Sequence, residues 1–382
     1  MNALALKMLM GDRLKYFGLI AGIAFAAMLI LQQSSILVGF ARQTGAFIRD
    51  TAQADLWIMD PQVRYSQDQV PVRNTNIQLA RGVRGVDWAL PLYQGFLRCT
   101  MPDGTRFSMM LVGIDDATLM GAPPEMVSGH LNDLRRDKAV FIQADNAEKK
   151  LMMKRGGGRP LAMGDRFSAN DQEAVVTGTY RGRASFFWEP VFYTTYSRAL
   201  RYAPPERNSL GFILVKVKPG YDLQTVQAAL AEKTGLAVRT NEQFIEITAD
   251  YILNTTGILV NFGVAVALGV LIGCLVAGQT FYNFTLDNMR HYGTLKAMGV
   301  SNGQLTSMVM LQAGLVAVLG YGIGVGLGSL MGWLIAAQGL AFSMPWYVPA
   351  FALGAIFAVC ALAAVLSLRR VYQLEPAIVF KT

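Results

Sequence analysis

Three long stretches of this 382-residue sequence contain no Asp, Glu, Lys or Arg, and they limit the possible folds more than any other feature. They cover residues 16–41, 251–286 and 297–368. Because an α-helix crosses the hydrocarbon core with about 20 apolar residues, each of the first two stretches predicts one spanning helix. The third is too long for one helix, and Pro345 with its aromatic neighbours predicts a short outer loop near 338–349. We therefore expect two more spanning helices within 305–368, four in all.

The charges that flank these stretches predict an orientation. Residues 1–15, 287–304 and 369–382 together hold eight basic and three acidic side chains, whereas the loop near 338–349 holds none. Because basic segments stay on the cytoplasmic side, we expect both termini and the 287–304 loop in the cytoplasm. This predicts a multi-pass membrane protein with residues 42–250 on the outer side of the membrane. The first apolar run exceeds that of a signal peptide, so we expect it to remain as an anchor.

Apolar residues at helical spacing within residues 1–15 predict an amphipathic helix on the cytoplasmic membrane surface, although a plain extension of the first span explains them equally well. The basic character of the chain follows from its membrane topology, so we expect no binding to nucleic acid.

Residues 42–250 show strand and helix patterns in alternation, which predicts a mixed α/β (α+β) domain between the first two spanning helices. The turn Met101-Pro102-Asp103-Gly104 predicts a hairpin. The predicted strands are Ala54–Met59, Val86–Thr100, Thr105–Ile114, Ala139–Gln143, Ala174–Tyr180 and Phe212–Val217. The predicted helices are Asn76–Gly82 and Asp222–Lys233.

Small residues recur every four positions in the spans, which places them on one face of each helix. These glycines are Gly18 and Gly22, Gly269 and Gly273, and Gly320, Gly324, Gly328 and Gly332. Glycine lets helix backbones approach closely, so we predict tight contacts at all eight positions. The pattern fits a static interface and a moving one equally well.

The sequence contains few motifs that indicate catalysis or ligand binding. The predicted spans contain no ionisable group, which argues against a polar path through the membrane. The sequence has no G-x-x-x-x-G-K-[ST] motif, so we expect this chain not to bind ATP phosphates in the usual way and to use no cofactor. His130 and His291 are its only histidines, so we expect no metal site and no catalytic residues.

The 287–304 loop is the most informative short segment. Its pattern predicts a short helix with Leu295 and Met298 on one face, ended by Gly299 in the left-handed conformation. Ser301 and Gln304 predict a capping box that starts the third span. A rigid helix tied to two spans is suited to receive force from a soluble partner, although an ordinary loop is the alternative.

Residues Tyr292–Gly299 resemble the R-E-x-G-x-L-(R/K)-A-(L/I/M)-G motif of FtsX/MacB-type ABC transporter permeases, the type VII mechanotransmission class. Three further segments are similar to this family, namely Ala21–Ala26, Ala54–Met59 and Leu374–Ala377. The layout of the whole chain is similar to it as well. Tyr292 before the glycine is similar to the DevC-like branch, which is associated with glycolipid export. His291 stands where the family has an acidic residue, which leaves that contact with the ATPase open.

The resemblance implies a homodimer in the bacterial inner membrane that binds a cytoplasmic ABC ATPase and passes its motion to the periplasmic domains, which residues 42–250 would form. It also implies export of a lipid, a glycolipid or another amphiphile with a periplasmic adaptor and an outer-membrane duct. The residues expected to couple to the ATPase are Tyr292, Leu295, Lys296, Met298, Gly299, Arg369, Arg370 and Pro376. An FtsX-like scaffold that activates a cell-wall hydrolase and a permease that extracts lipoproteins remain alternatives.

Overall fold

The computed structural model describes residues 8, 13–51, 53–153, 158–183, 186, 189–205, 209–337 and 340–372. It divides the chain into two compact units. Residues up to Phe40 and from Gly257 onward form one unit, which we name the bundle. Ala41–Thr256 forms the other, which we name the large domain.

The described helices and strands are numbered separately in chain order. The helices are α1 (Arg13–Thr44), α2 (Ala46–Asp50), α3 (Thr75–Arg81), α4 (Ala144–Lys149), α5 (Tyr196–Tyr202), α6 (Leu223–Thr234), α7 (Asn241–Thr255), α8 (Ile258–Asp287), α9 (Met289–Ala297), α10 (Asn302–Ala337) and α11 (Tyr347–Tyr372). The strands are β1 (Leu56–Met59), β2 (Val86–Thr100), β3 (Arg106–Ile114), β4 (Glu125–Ser128), β5 (Ala139–Gln143), β6 (Arg166–Ala169), β7 (Gln172–Arg181), β8 (Val191–Thr195), β9 (Phe212–Val217) and β10 (Ala237–Thr240).

Among the described residues, four helices are long and apolar enough to cross a membrane, namely α1, α8, α10 and α11. This confirms the four predicted spanning helices. The second span begins later than predicted, because residues 251–255 continue α7 and Gly257 then adopts a φ of +70°. A left-handed residue interrupts a right-handed helix, so the absence of charge after Asp250 did not mark the start of the span.

Glycines bring α1 against both α8 and α10. A Cβ on Gly324 of α10 would lie 2.6 Å from the Ala24 carbonyl oxygen and 2.6 Å from Ala27 Cβ. Close neighbours also surround Gly22, Gly269, Gly273, Gly320, Gly328 and Gly332. Gly18 differs from the prediction, because it is exposed and a Cβ there would meet no described atom within 4 Å.

One apolar cluster joins the helices of the bundle, with Ile23, Ile30, Phe281, Val316 and Ile356 among its buried members. Two polar contacts add to it. The Tyr321 hydroxyl donates to the Pro349 carbonyl (3.0 Å), and the Ser343 N–H donates to the Ser35 carbonyl (3.1 Å). Lipid provides no hydrophobic drive for helix pairing, so close contact and hydrogen bonds hold this bundle.

The large domain is built on one ten-stranded sheet with the order β10-β1-β9-β2-β3-β8-β5-β7-β4, to which β6 adds beside β2 and β7. Strands β10-β1-β9-β2 are antiparallel, and their order with α3 and α6 between strands is that of a split βαβ fold. The inserted half, from β3 to β8, contains the parallel pairs β3-β8 and β5-β7. The domain is therefore mixed α/β, as predicted.

The predicted strands of the large domain match β1, β2, β3, β5, β7 and β9, and the two predicted helices match α3 and α6. Asp222 caps α6, because its carboxylate accepts from the Thr225 N–H (2.8 Å). Strands β4, β6, β8 and β10 have only four or five residues each, and they were not predicted. The loop of residues 154–157 lies outside the described residues.

We predict that Gly324→Ala destabilises the bundle. The added methyl overlaps the Ala24 carbonyl and Ala27, and such overpacking costs about 1–3 kcal/mol. Gly322→Ala is the matched control, since a Cβ there meets no described atom within 4 Å. The measurement is thermal unfolding of the purified chain in lipid nanodiscs. Equal melting temperatures for the two variants would contradict the described contact between α1 and α10.

Candidate functional site

Helix α9 follows α8 almost without interruption, and Asn288 makes the junction. Its backbone N–H donates to the Phe284 carbonyl (3.1 Å), and its side-chain amide donates to the same oxygen (2.9 Å). The Asn288 carbonyl in turn accepts from the Tyr292 N–H (3.0 Å). One residue therefore ends α8 and begins α9, and no flexible linker separates the two helices.

The other end of α9 is closed by a Schellman motif. Gly299 has a φ of +92°, its N–H donates to the Lys296 carbonyl (3.1 Å), and the Val300 N–H donates to the Leu295 carbonyl (3.1 Å). This pair of bonds satisfies carbonyls that a helix end otherwise leaves without partners. The predicted left-handed glycine is confirmed.

Helix α10 begins at once with the predicted capping box. The Ser301 N–H donates to Gln304 Oε1 (3.0 Å), and the Gln304 N–H donates to Ser301 Oγ (3.3 Å). The box satisfies donors of the first turn, so α10 starts at a defined residue. At its N-terminal end α9 shares Asn288 with α8, and at its C-terminal end the Schellman motif is followed directly by the capping box of α10.

The inner face of α9 is buried in the bundle. Tyr292 is 1% exposed and Leu295 is 9% exposed, and both belong to the apolar cluster that includes Phe281 and Leu305. Burial raises the pKa of Tyr292 to about 12, so its phenol is neutral at physiological pH. Among the described atoms, the Tyr292 hydroxyl has no hydrogen-bond partner. These two side chains anchor α9 to the bundle.

The outer face of the segment is exposed and carries Arg290, His291, Thr294 and Met298. Met298 is 68% exposed, so the prediction that it shares a face with the buried Leu295 is wrong. The reason is that α9 ends at Ala297, and Met298 is its capping residue beside the left-handed Gly299. Tyr292 and Leu295 therefore position this surface, whereas Met298 forms part of it.

The other predicted coupling residues lie in different places. Lys296 is half-buried on the last turn of α9. Arg369 and Arg370 lie in the last part of α11, and their side chains are outside the described part of the chain. Pro376 lies outside the described residues altogether.

An ion pair that the sequence analysis missed lies next to α9. Lys15 near the start of α1 bonds Asp287, the last residue of α8. Both side chains are more than 40% exposed, so the pair contributes little to stability and mainly sets geometry. The signal was available, because these two residues border charge-free stretches.

The geometry defines a class of protein: a membrane protein whose short helix α9 presents an exposed surface and connects two spanning helices through capped ends. Among the described residues, no group of three or more His, Cys, Asp or Glu side chains could hold a metal ion.

Two protein-family models together match almost the whole length of the chain. The MacB-like periplasmic core domain matches residues 17–233, which is more than half of the chain, and the FtsX-like permease C-terminal domain matches residues 263–376. The chain belongs to the FtsX/MacB family of ABC transporter permeases.

Individual relatives are distant. The chain is 28% identical over 135 residues to an uncharacterized ABC transporter permease of Methanocaldococcus jannaschii. That match covers 33% of this chain and 33% of the relative, so the chain matches about a third of the relative's length.

Solved structures similar to this chain include the periplasmic region of MacB from Actinobacillus actinomycetemcomitans. That similarity has 15% identity and a TM-score of 0.40, and it covers 52% of this chain and 94% of the other. The extracellular domain of the noncanonic ABC-type transporter YknZ from Gram-positive bacteria has 15% identity and a TM-score of 0.35. Its similarity covers 49% of this chain and 98% of the other.

We predict that Gly299→Ala loosens the end of α9. A φ of +92° is unfavourable for any residue with a Cβ and costs roughly 1–2 kcal/mol. Hydrogen exchange of the backbone amides of residues 299 and 300 should therefore become about tenfold faster. Gly303→Ala is the control, because Gly303 lies in the first turn of α10 without a positive φ. Unchanged exchange in Gly299→Ala would contradict the Schellman motif.

Proposed function

We propose that this chain is the membrane subunit of an ABC-type exporter of the inner membrane. In this proposal the ATPase docks on the exposed surface of α9, and its motion passes through α8 and α10 to the large domain. The observation that carries the proposal is that α9 is capped at both of its ends and lies directly between α8 and α10 in the chain. A displacement of α9 therefore acts on both spans instead of being absorbed in a linker.

The surface of α9 supports docking of a soluble partner. Met298 offers an exposed apolar side chain, and Arg290 lies on the same side with a positive charge. Interfaces often centre on exposed Met and Arg residues because these supply contact area and hydrogen bonds together. We propose that Met298 and Lys296 contact the ATPase, whereas Tyr292, Leu295 and Gly299 hold the helix in place.

The composition of the spans supports mechanical transmission rather than conduction. No Asp, Glu, Lys, Arg or His lies between Lys15 and Arg42, between Asp250 and Asp287, or between Lys296 and Arg369. Paths for ions and polar solutes usually contain such groups. We propose that the cargo is a lipid, a glycolipid or another amphiphile, which enters from the membrane or the outer side. A second copy of this chain, a periplasmic adaptor and an outer-membrane duct complete the proposed machine.

We expect the purified chain to hydrolyse no ATP by itself and to stimulate its cognate ATPase in nanodiscs. Met298→Asp should reduce that stimulation about tenfold, because a lost apolar contact at an interface costs ~1–2 kcal/mol. Met163→Asp is the matched control, since Met163 is 49% exposed but lies in the large domain.

If Met298→Asp stimulates the ATPase fully and its melting temperature is unchanged, docking on this surface is ruled out. ATPase activity that copurifies with this chain alone would contradict the separate-subunit proposal. Transport and signalling give different outputs: an exporter moves an amphiphile in the reconstituted system, whereas a scaffold activates a cell-wall hydrolase without moving cargo.

A further inference from the structure

One open cleft of the large domain is lined by charges of both signs. Its volume is about 500 Å³, which is in the range of ligand-binding sites. Part of its lining is one face of α7, because Glu246, Asp250 and Asn254 follow one another at intervals of four residues. Other parts come from the loop after β1, with Arg64, and from β10, with Arg239. The cleft therefore combines acidic side chains of one helix with basic side chains of two other segments.

Arg239 is a cation without a counterion. Its Nε atom is buried and has no hydrogen-bond partner, and among the described residues no carboxylate forms an ion pair with its guanidinium. A guanidinium presents its N–H donors in a planar fork that matches two oxygens of a phosphate or a carboxylate. Because donors that lose water without gaining a partner are costly, a bound oxyanion is favoured at this position.

Arg64 is positioned at the cleft by an aromatic stack. Its guanidinium carbon lies 5.0 Å from the centroid of the Tyr251 ring, and that ring stacks on Tyr65 with centroids 5.1 Å apart. The distance from Arg64 Nε to Asp68 Oδ2 is 3.8 Å, which is too long for a hydrogen bond. The second basic side chain of the cleft is therefore held in place without a ligand.

The acidic side of the cleft favours a cation. Glu246 and Asp250 lie about one helical turn apart, where like charges repel and destabilise the helix. The Asn254 amide donates to Asp250 Oδ1 (2.6 Å), whereas the Glu246 side chain forms no hydrogen bond or ion pair within the described part of the chain. α7 ends at Thr255, which also lines the cleft, and a helix C-terminus adds partial negative charge. An ammonium group bound here offsets the repulsion.

The chain itself keeps the cleft near a membrane surface. Thr255 lies three residues before Ile258, the first residue of the spanning helix α8. Three residues of chain extend over at most about 11 Å. The headgroup region of a bilayer is about 5–8 Å thick on each side of the hydrocarbon core. A lipid headgroup beside the start of α8 is therefore within reach of the cleft.

We propose that this cleft binds a phospholipid headgroup with a phosphate and a primary amine, as in phosphatidylethanolamine. The phosphate bonds Arg239 and Arg64, and the ammonium group bonds Glu246 and Asp250. A ligand with only one sign of charge would meet two side chains of the same sign in this lining. The quaternary ammonium of phosphatidylcholine has no N–H to donate to the carboxylates, so we expect it to bind more weakly. The proposal goes beyond ATPase coupling, and its test requires no ATPase.

The test uses native mass spectrometry of the full chain in an uncharged detergent, titrated with short-chain phosphatidylethanolamine, phosphatidylcholine or phosphatidylglycerol. Phosphatidylethanolamine should bind with a Kd about tenfold below those of the other two lipids. Arg239→Gln should raise that Kd about tenfold, because the phosphate loses a charged donor. Arg106→Gln is the matched control, since Arg106 is exposed on β3 and does not line the cleft. If Arg239→Gln does not fold, the exposed Arg64→Gln replaces it.

A second variant tests the ammonium end. Glu246→Gln should weaken binding of phosphatidylethanolamine and abolish its preference over phosphatidylglycerol, because the cleft then has a net positive charge. Glu232→Gln is the matched control, since Glu232 is exposed on the other helix α6.

Equal Kd values for the three lipids, or wild-type Kd values in both cleft variants, would overturn the proposal. A third probe, glycerophosphoethanolamine, has the same headgroup without acyl chains and should bind far more weakly than the lipid. If it binds as tightly as the lipid, the ligand is a soluble phosphate ester and the lipid proposal is wrong.

Discussion

The burial of Tyr292 and Leu295 in the apolar cluster of the bundle is the interaction on which the rest of the account depends. A nine-residue helix has too few hydrogen bonds to be stable by itself in water. These two side chains supply the missing stability, and they also determine which face of α9 remains outside. Without them, the Schellman motif and the capping box would connect a frayed segment to two rigid helices.

The spanning helices are held close to one another at glycine residues. α1 approaches α10 at Gly320, Gly324 and Gly328, and it approaches α8 at Gly269 and Gly273. Backbones in such contact have little room to slide, because side chains and carbonyl groups fill the space between them. The bundle therefore resembles one stiff body more than a set of independent rods, which is what transmission of a displacement requires.

Much of this fold could be predicted from the sequence, because its strongest signals are long. Charge-free stretches define spanning helices, and strands such as β2 carry enough alternating residues to be recognised. Predictions failed where one residue or a tertiary contact decides. Gly257 moved the start of α8, and the capping position of Met298 removed it from the face of Leu295.

Other features of the site are products of the folded chain. The ion pair between Lys15 and Asp287 joins residues 272 positions apart, which periodicity in one segment cannot show. The ladder between β2 and β9 ends at Leu92 and Phe212, and the ladder between β2 and β6 begins at Cys99 and Ala169. Local patterns contain no information about such endpoints, because each depends on the position of a distant partner.

The most direct test of the central claim measures distances by electron spin resonance in nanodiscs with the cognate ATPase, before and after trapping with ATP. One pair of spin labels replaces the exposed Thr294 of α9 and Leu327 of α10, and another replaces Leu79 in two copies of the chain. Transmission predicts an unchanged distance within the first pair and a changed distance within the second. A changed distance between positions 294 and 327, with the Leu79 pair static, would contradict it.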